Sequence, residues 1–195
     1  MTGSSRNKLL LVSFFFLFLV ACAPQPVPSY SFETVYGELR KIDASFNTSF
    51  LNESIEVPID NATIASLLVK VGELRENNEH LSFSEDHDAI ALLLDSRENL
   101  LRSQERANIF LDHFNGRYHC DDAWNDRLAL AYLDEAVAYG IKANAKMDSL
   151  LSSSETAREI ILKGPKPVFY SSDYGRFSIF SDDYKTFLSQ YCSGE

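Results

Sequence analysis

From Phe32 almost to the end of the chain, apolar residues recur in steps of three and four, the spacing of one buried helix face. Phe32, Tyr36, Leu39, Ile42 and Phe46 make a first stripe, which a polar, β-branched stretch over 47–59 interrupts, with Pro58 near its end. Asp60 or Asn61 suits the N-cap of a second helix, whose stripe is Ile64, Leu67, Val71, Leu74, Asn78 and Leu81. The pattern predicts a third helix from near Ser84, where the acids Glu85, Asp86 and Asp88 suit a helix N-terminus. Ala89, Leu93, Ser96, Leu100, Ser103, Ala107, Phe110 and Phe114 then repeat as strict four-three steps, and Gly116 ends the run. Asp121 or Asp122 opens a fourth helix with Leu130, Leu133, Val137, Gly140, Asn144, Met147 and Leu151 on one side. Such steps over several heptads predict near-parallel packing of coiled-coil type.

Ser152-Ser153-Ser154-Glu155 reads as a capping box, so a break is expected there, followed by a shorter helix over about 154–163. Gly164-Pro165 stops it. Phe169, Tyr170, Tyr174, Phe177 and Phe180 then stand in a Ser-, Asp- and Gly-rich segment that reads as loop. A last helix over 181–192 would put Tyr184, Phe187, Leu188 and Tyr191 on one side. The expected fold is all-α: an antiparallel helical bundle of four main helices plus a shorter C-terminal helical and aromatic tail, in one domain over 30–195. No 20–50-residue repeat is visible.

The first 29 residues follow another rule. Arg6 and Lys8 precede Leu9–Ala21, thirteen residues with Ser13 as the one polar interruption. A permanent membrane span needs about 20 apolar residues; a short, positively led apolar run is of the signal-peptide type. It ends in Leu19-Val20-Ala21-Cys22, which resembles the lipobox of bacterial-type lipoproteins. The resemblance covers about the first 22 residues and implies cleavage before Cys22, with the thiol of Cys22 carrying diacylglycerol. An ordinary secretory signal cut nearby, with Cys22 a plain thiol, is the alternative. Ala23-Pro-Gln-Pro-Val-Pro-Ser29 favours extended polyproline geometry and reads as a semi-rigid tether over 22–29. Two or more acyl chains give stable attachment. The expected location is therefore the non-cytoplasmic side of a membrane, at the cell surface or in a periplasm.

The chain of 195 residues carries a net charge of −10. Removing 1–21 takes the basic count from 18 to 16 against 28 acids, or −12. So acidic a domain repels nucleic acid and anionic lipid surfaces, which leaves membrane attachment to the lipid. Besides Cys22 there are Cys120 and Cys192; an even number outside the cytoplasm points to one disulfide, against two separate buried thiols. Asn47, Asn52 and Asn61 each open an N-x-S/T triplet and are candidate glycan acceptors on a surface loop, although the triplet is common by chance.

Familiar catalytic motifs are missing from the sequence. No two glycines are spaced as G-x-G, and there is no G-x-S-x-G, H-E-x-x-H, C-x-x-C or Glu-x-x-His. No cofactor and no catalytic residue is assigned. Four places still merit a reading. His113, His119, Cys120, Asp121 and Asp122 could be drawn around a transition metal, but helix capping and a disulfide account for them better, and no metal is assigned. Glu79, His80, Glu85, Asp86, His87 and Asp88 bracket one turn without the spacing of a calcium loop, and read as a solvated acidic corner. Arg97, Gln104 and Asn144, with Asn78, Ser96 and Ser103, interrupt the apolar seams. They could line a ligand pocket between helices, or set register by interhelical hydrogen bonds, with Arg97 paired to an acid. The tail aromatics could form a recognition surface or cover one end of the bundle.

Together these readings favour a membrane-anchored module that acts through a protein partner. A small-molecule or metal-binding receptor with its site near Arg97 is the alternative, and an enzyme of unrecognised constellation the third.

Overall fold

The structure is a computed structural model that describes residues 30–46, 59–80, 86–114, 120, 123–163 and 171–192. The described residues form six α-helices and no strand: α1 (Phe32–Ser45), α2 (Asn61–Glu79), α3 (His87–His113), α4 (Ala123–Ser153), α5 (Glu155–Leu162) and α6 (Ser171–Tyr191). The all-α expectation holds; the count of four main helices does not.

Three helices start at a residue whose side chain satisfies an orphan first-turn amide. Ser31 accepts from the Thr34 amide, Asp60 from that of Thr63, and Ser154 from that of Ala157. The break expected around Ser152–Glu155 is thus made by Ser154. Helix α3 differs. It begins at His87, later than the expected start near Ser84, and its N-cap Asp86 makes no side-chain capping bond. Asp86 Oδ2 instead accepts the Phe32 amide at 2.9 Å, and so serves the first turn of α1.

Helices α3 and α4 form a long antiparallel hairpin, the spine of the domain. Small residues at the contact let the backbones approach: Ala136 and Ala143 are 0% and 3% exposed. Ser96 Oγ donates to the Ala143 carbonyl at 3.0 Å and Ser103 Oγ to the Ala136 carbonyl at 2.7 Å. Two separate apolar clusters use opposite halves of this spine. In one, α1, α2 and α5 pack on the first part of α3 and the last part of α4, around Phe32, Leu39, Ile64, Leu67, Leu93 and Leu101. Helix α2 runs antiparallel to α3, and α1 runs parallel to it, as the pairs Phe32–Asp86 and Asp43–Arg97 require. In the other cluster, α6 lies antiparallel along the first part of α4, and Tyr184 and Leu188 meet Phe110, Leu130 and Leu133.

Two expectations need correction. The shorter tail is a full helix of 21 residues, longer than α1 and α2, and the loop expected around Tyr174, Phe177 and Phe180 is helical. Packing along α4 outweighs the local loop signal of Ser, Asp and Gly. Phe169 and Tyr170 lie outside the described residues. On α1, Asp43 is buried at 3% exposure, while Ile42, the expected stripe member, is only half-buried.

Candidate functional site

The most distinctive chemistry in the core lies where α1 meets α3. Parallel packing brings the last turn of α1 beside the middle of α3. Arg97 Nη2 there donates to Asp43 Oδ1 at 2.5 Å, with side chains 0% and 4% exposed. The ion pair answers the burial cost of each charge with the other. Arg97 is thus paired to an acid, one of the two arrangements open from sequence.

The remaining polar candidates divide. Ser96 and Ser103 are spent on the α4 backbone, as above. Asn78 Nδ2 donates to the His87 carbonyl at 3.2 Å, which ties α2 to the start of α3. Gln104, two turns beyond Arg97, is 1% exposed, and neither atom of its amide has a hydrogen-bond partner among the described residues. Asn144 sits on α4 and is half-buried, so it stands outside this buried group. The structure therefore sets Arg97 and Gln104 on one buried face of α3 without Asn144.

A second charged group crosses the surface of the spine. Arg75 of α2 binds Asp95 at 2.6 Å and Glu98 at 2.7 Å, while Lys146 of α4 binds the other oxygen of Asp95 at 2.8 Å. Burial acts to raise the Asp95 pKa, but the bonds from Lys146 and Arg75 outweigh it and hold the carboxyl below its ordinary value. A depressed carboxylate contributes stability above its unfolded pKa of about 3.9, and that contribution fades as pH falls through the lower folded value. Asp95→Asn should therefore cost on the order of 1 kcal/mol at pH 7, screened as a part-exposed pair is, and close to nothing at pH 2. Urea unfolding of both forms at the two pH values reads this directly; an equal loss at both would show that the pairing is not the cause.

Most described residues of the two metal readings have other partners, and Glu85 lies outside the described residues. His113 stacks on Tyr132 at 6.1 Å, Cys120 is bonded to Cys192, and His119, Asp121 and Asp122 lie outside the described residues. At the acidic corner Asp86 serves α1, and His87 Nδ1 meets Asp88 at 3.2 Å. Among the described residues no three His, Cys, Asp or Glu side chains converge as a metal site would require.

The disulfide expectation does hold: Cys120 and Cys192 are joined, with Cα atoms 5.2 Å apart. The bond fixes the end of α6 beside the approach to α4. From it an aromatic ladder runs inward. Tyr191 packs on Phe187 at 5.3 Å, Phe187 on Tyr184 at 6.1 Å, Tyr184 on Phe180 at 6.2 Å, and Phe180 on Phe114 at 5.6 Å. Tyr184 is fully buried and donates its hydroxyl to Asp126, whereas Tyr191 is 71% exposed. The tail is therefore core at one end of the ladder and surface at the other.

One cleft escaped the sequence reading. Ile59, Asp60, Asn61, Asn108, Leu111 and Asp112 line an open depression of about 380 Å³ between the start of α2 and the end of α3. Asn108 Nδ2 shapes it by donating to the Ile59 carbonyl at 2.7 Å and to Asn61 Oδ1 at 2.9 Å. No local pattern announces it, because its walls are nearly fifty residues apart in the chain. Asn61 is also the one triplet asparagine that is described, and it begins α2 rather than lying in a loop. Asn47, Asn52 and Cys22 lie outside the described residues. No helix among the described residues is long and apolar enough to cross a membrane.

No family model, curated protein or solved structure matches this chain.

Proposed function

We propose that this chain is a lipid-anchored extracytoplasmic module that works by protein contact through the outer end of α6. The address rests on the N-terminal sequence: the charged leader, the short apolar run, Leu19-Val20-Ala21-Cys22 and the Pro-rich tether. The observation that carries the contact reading is Tyr191. It is 71% exposed, yet its ring is held against Phe187 and the disulfide follows at Cys192. A large aromatic presented on a fixed support loses little freedom on binding, which is what makes tyrosine effective at the centre of interfaces. Ile179, 64% exposed, adds apolar surface to the same helix. The receptor alternative loses its anchoring cation, because the charge of Arg97 is already met by Asp43.

The test is cross-linking in intact cells followed by capture from the membrane fraction. One stoichiometric protein should be recovered with the wild-type chain, and Tyr191→Ala should weaken its binding about thirtyfold or more, the effect of losing one interface hot spot. Tyr191 is the residue to change because truncating the buried Tyr184 would damage the fold. Equal recovery with Tyr191→Ala rejects this surface. The anchor is read separately by metabolic labelling with a tagged fatty acid: label should enter the wild type and be absent from Cys22→Ala.

A further inference from the structure

We propose that α1 is a displaceable strap, a helix that opens from the rest of the domain as a unit more readily than the spine does. Opening would uncover the sides of α2, α3 and α5 on which it lies, together with Arg97.

The argument is about what α1 buries. Its apolar side supplies Phe32, Val35, Tyr36 and Leu39 to the core, all buried. The same interface also holds three polar groups that fare better in water. Asp43 and Arg97 form a buried pair, and such pairs often do no more than offset their desolvation. The Tyr36 hydroxyl is buried with no hydrogen-bond partner among the described residues, and burial pushes its pKa up although the Arg40 charge acts the other way. An unpartnered buried hydroxyl is a net cost. When α1 opens, the carboxylate, the guanidinium and the hydroxyl all regain hydration. The apolar area it covers therefore overstates how firmly it is held.

The two longer outer helices, α2 and α6, are held by further ties. Helix α6 has a covalent tie at Cys192, the bond from Tyr184 to Asp126, and Asp134 accepting from both Ser181 and Lys185. Helix α2 carries Arg75 in its double contact with α3. The ion pair that joins α1 to α3, Asp43–Arg97, is buried. At the start of α1, Tyr30 donates its hydroxyl to the Leu74 carbonyl at 3.0 Å and the Phe32 amide bonds to Asp86. An element of 14 residues does not hold helical form alone in water, so release of α1 is also its unfolding.

Hydrogen exchange of the full chain at neutral pH tests this. The amides of Tyr36–Asp43 should exchange at least about tenfold faster than the slowest amides of α3, because low-cost local openings set their rate. In Tyr36→Phe/Asp43→Leu/Arg97→Met, where nothing at the interface gains by hydration, the gap should narrow. Should that variant fold poorly, Tyr36→Phe alone removes the unpartnered hydroxyl and should slow α1 exchange relative to α3. Equal protection of α1 and α3 in the wild type overturns the proposal, as does a gap that these substitutions leave unchanged.

Discussion

Arg97→Ala is expected to destabilise the domain by about 3–5 kcal/mol, a large share of the total for a single domain. The loss arises because Asp43 stays behind as a buried carboxylate, with its side chain 4% exposed and its charge partner gone. Asp43→Ala should cost a comparable amount by stranding the guanidinium instead. The paired replacement Asp43→Leu/Arg97→Met behaves differently, since it removes both charges and refills the space. Its stability should lie near the wild type or above it. The coupling between the two positions would then be strongly non-additive, as expected for groups in direct contact. Urea midpoints for the four proteins provide the measurement, with slopes checked for constancy. If Arg97→Ala and Asp43→Ala each lose less than about 1 kcal/mol, the pair is solvated and α1 is not docked as described. The set also serves the strap reading, because the charge-free pair removes one reason for α1 to open.

Loss of the Cys120–Cys192 bond should have the next largest effect. The two residues are 72 apart, and closing a loop of that length removes unfolded-state entropy worth about 4 kcal/mol in the chain-entropy model. The structure says where the loss will appear. The bond joins the end of α6 to the approach to α4, and α6 belongs to a cluster separate from the one that holds α1, α2 and α5. Reduction, or Cys120→Ser/Cys192→Ser, should therefore loosen the aromatic ladder first. Near-ultraviolet circular dichroism from Tyr184, Phe187 and Tyr191 should melt before the far-ultraviolet signal of the spine, in two steps where the oxidised protein shows one. Coincident transitions at an unchanged temperature would show that apolar packing of α6 suffices by itself.

Much of the secondary structure could be read directly. The periodic stripes located α2, α3 and α4, and Asp60 and the serine run before Glu155 marked true helix starts. Errors came where a residue's local preference was overruled by a distant partner. The start of α3 was expected near Ser84; it lies at His87, and the N-cap carboxylate of Asp86 is taken by the Phe32 amide, 54 residues earlier. Residues 171–180 had the composition of a loop, yet they are helical, in the helix that lies along α4. The first stripe was continued through Ile42, although Asp43 stands four residues after Leu39, in register with Phe32 and Tyr36. An acid in core register on one helix and an arginine in core register on another was the one available hint that the two would meet.

The chain alone determined its helical class, most helix positions and the cysteine pair, and its first 22 residues carry the lipobox resemblance behind the proposed address. Each of these depends on neighbours within a turn or two, on counting, or on a short contiguous motif. Tertiary structure decided that α1 runs parallel to α3, that Asp43 is the acid that reaches Arg97, that the apolar residues divide into two clusters, and that Tyr191 surfaces while Tyr184 does not. Those outcomes depend on which helix faces meet and at what stagger. A helix stripe states that a face must be covered; it carries no record of what covers it, because the covering residues lie tens of positions away and are chosen by the fit of whole helices.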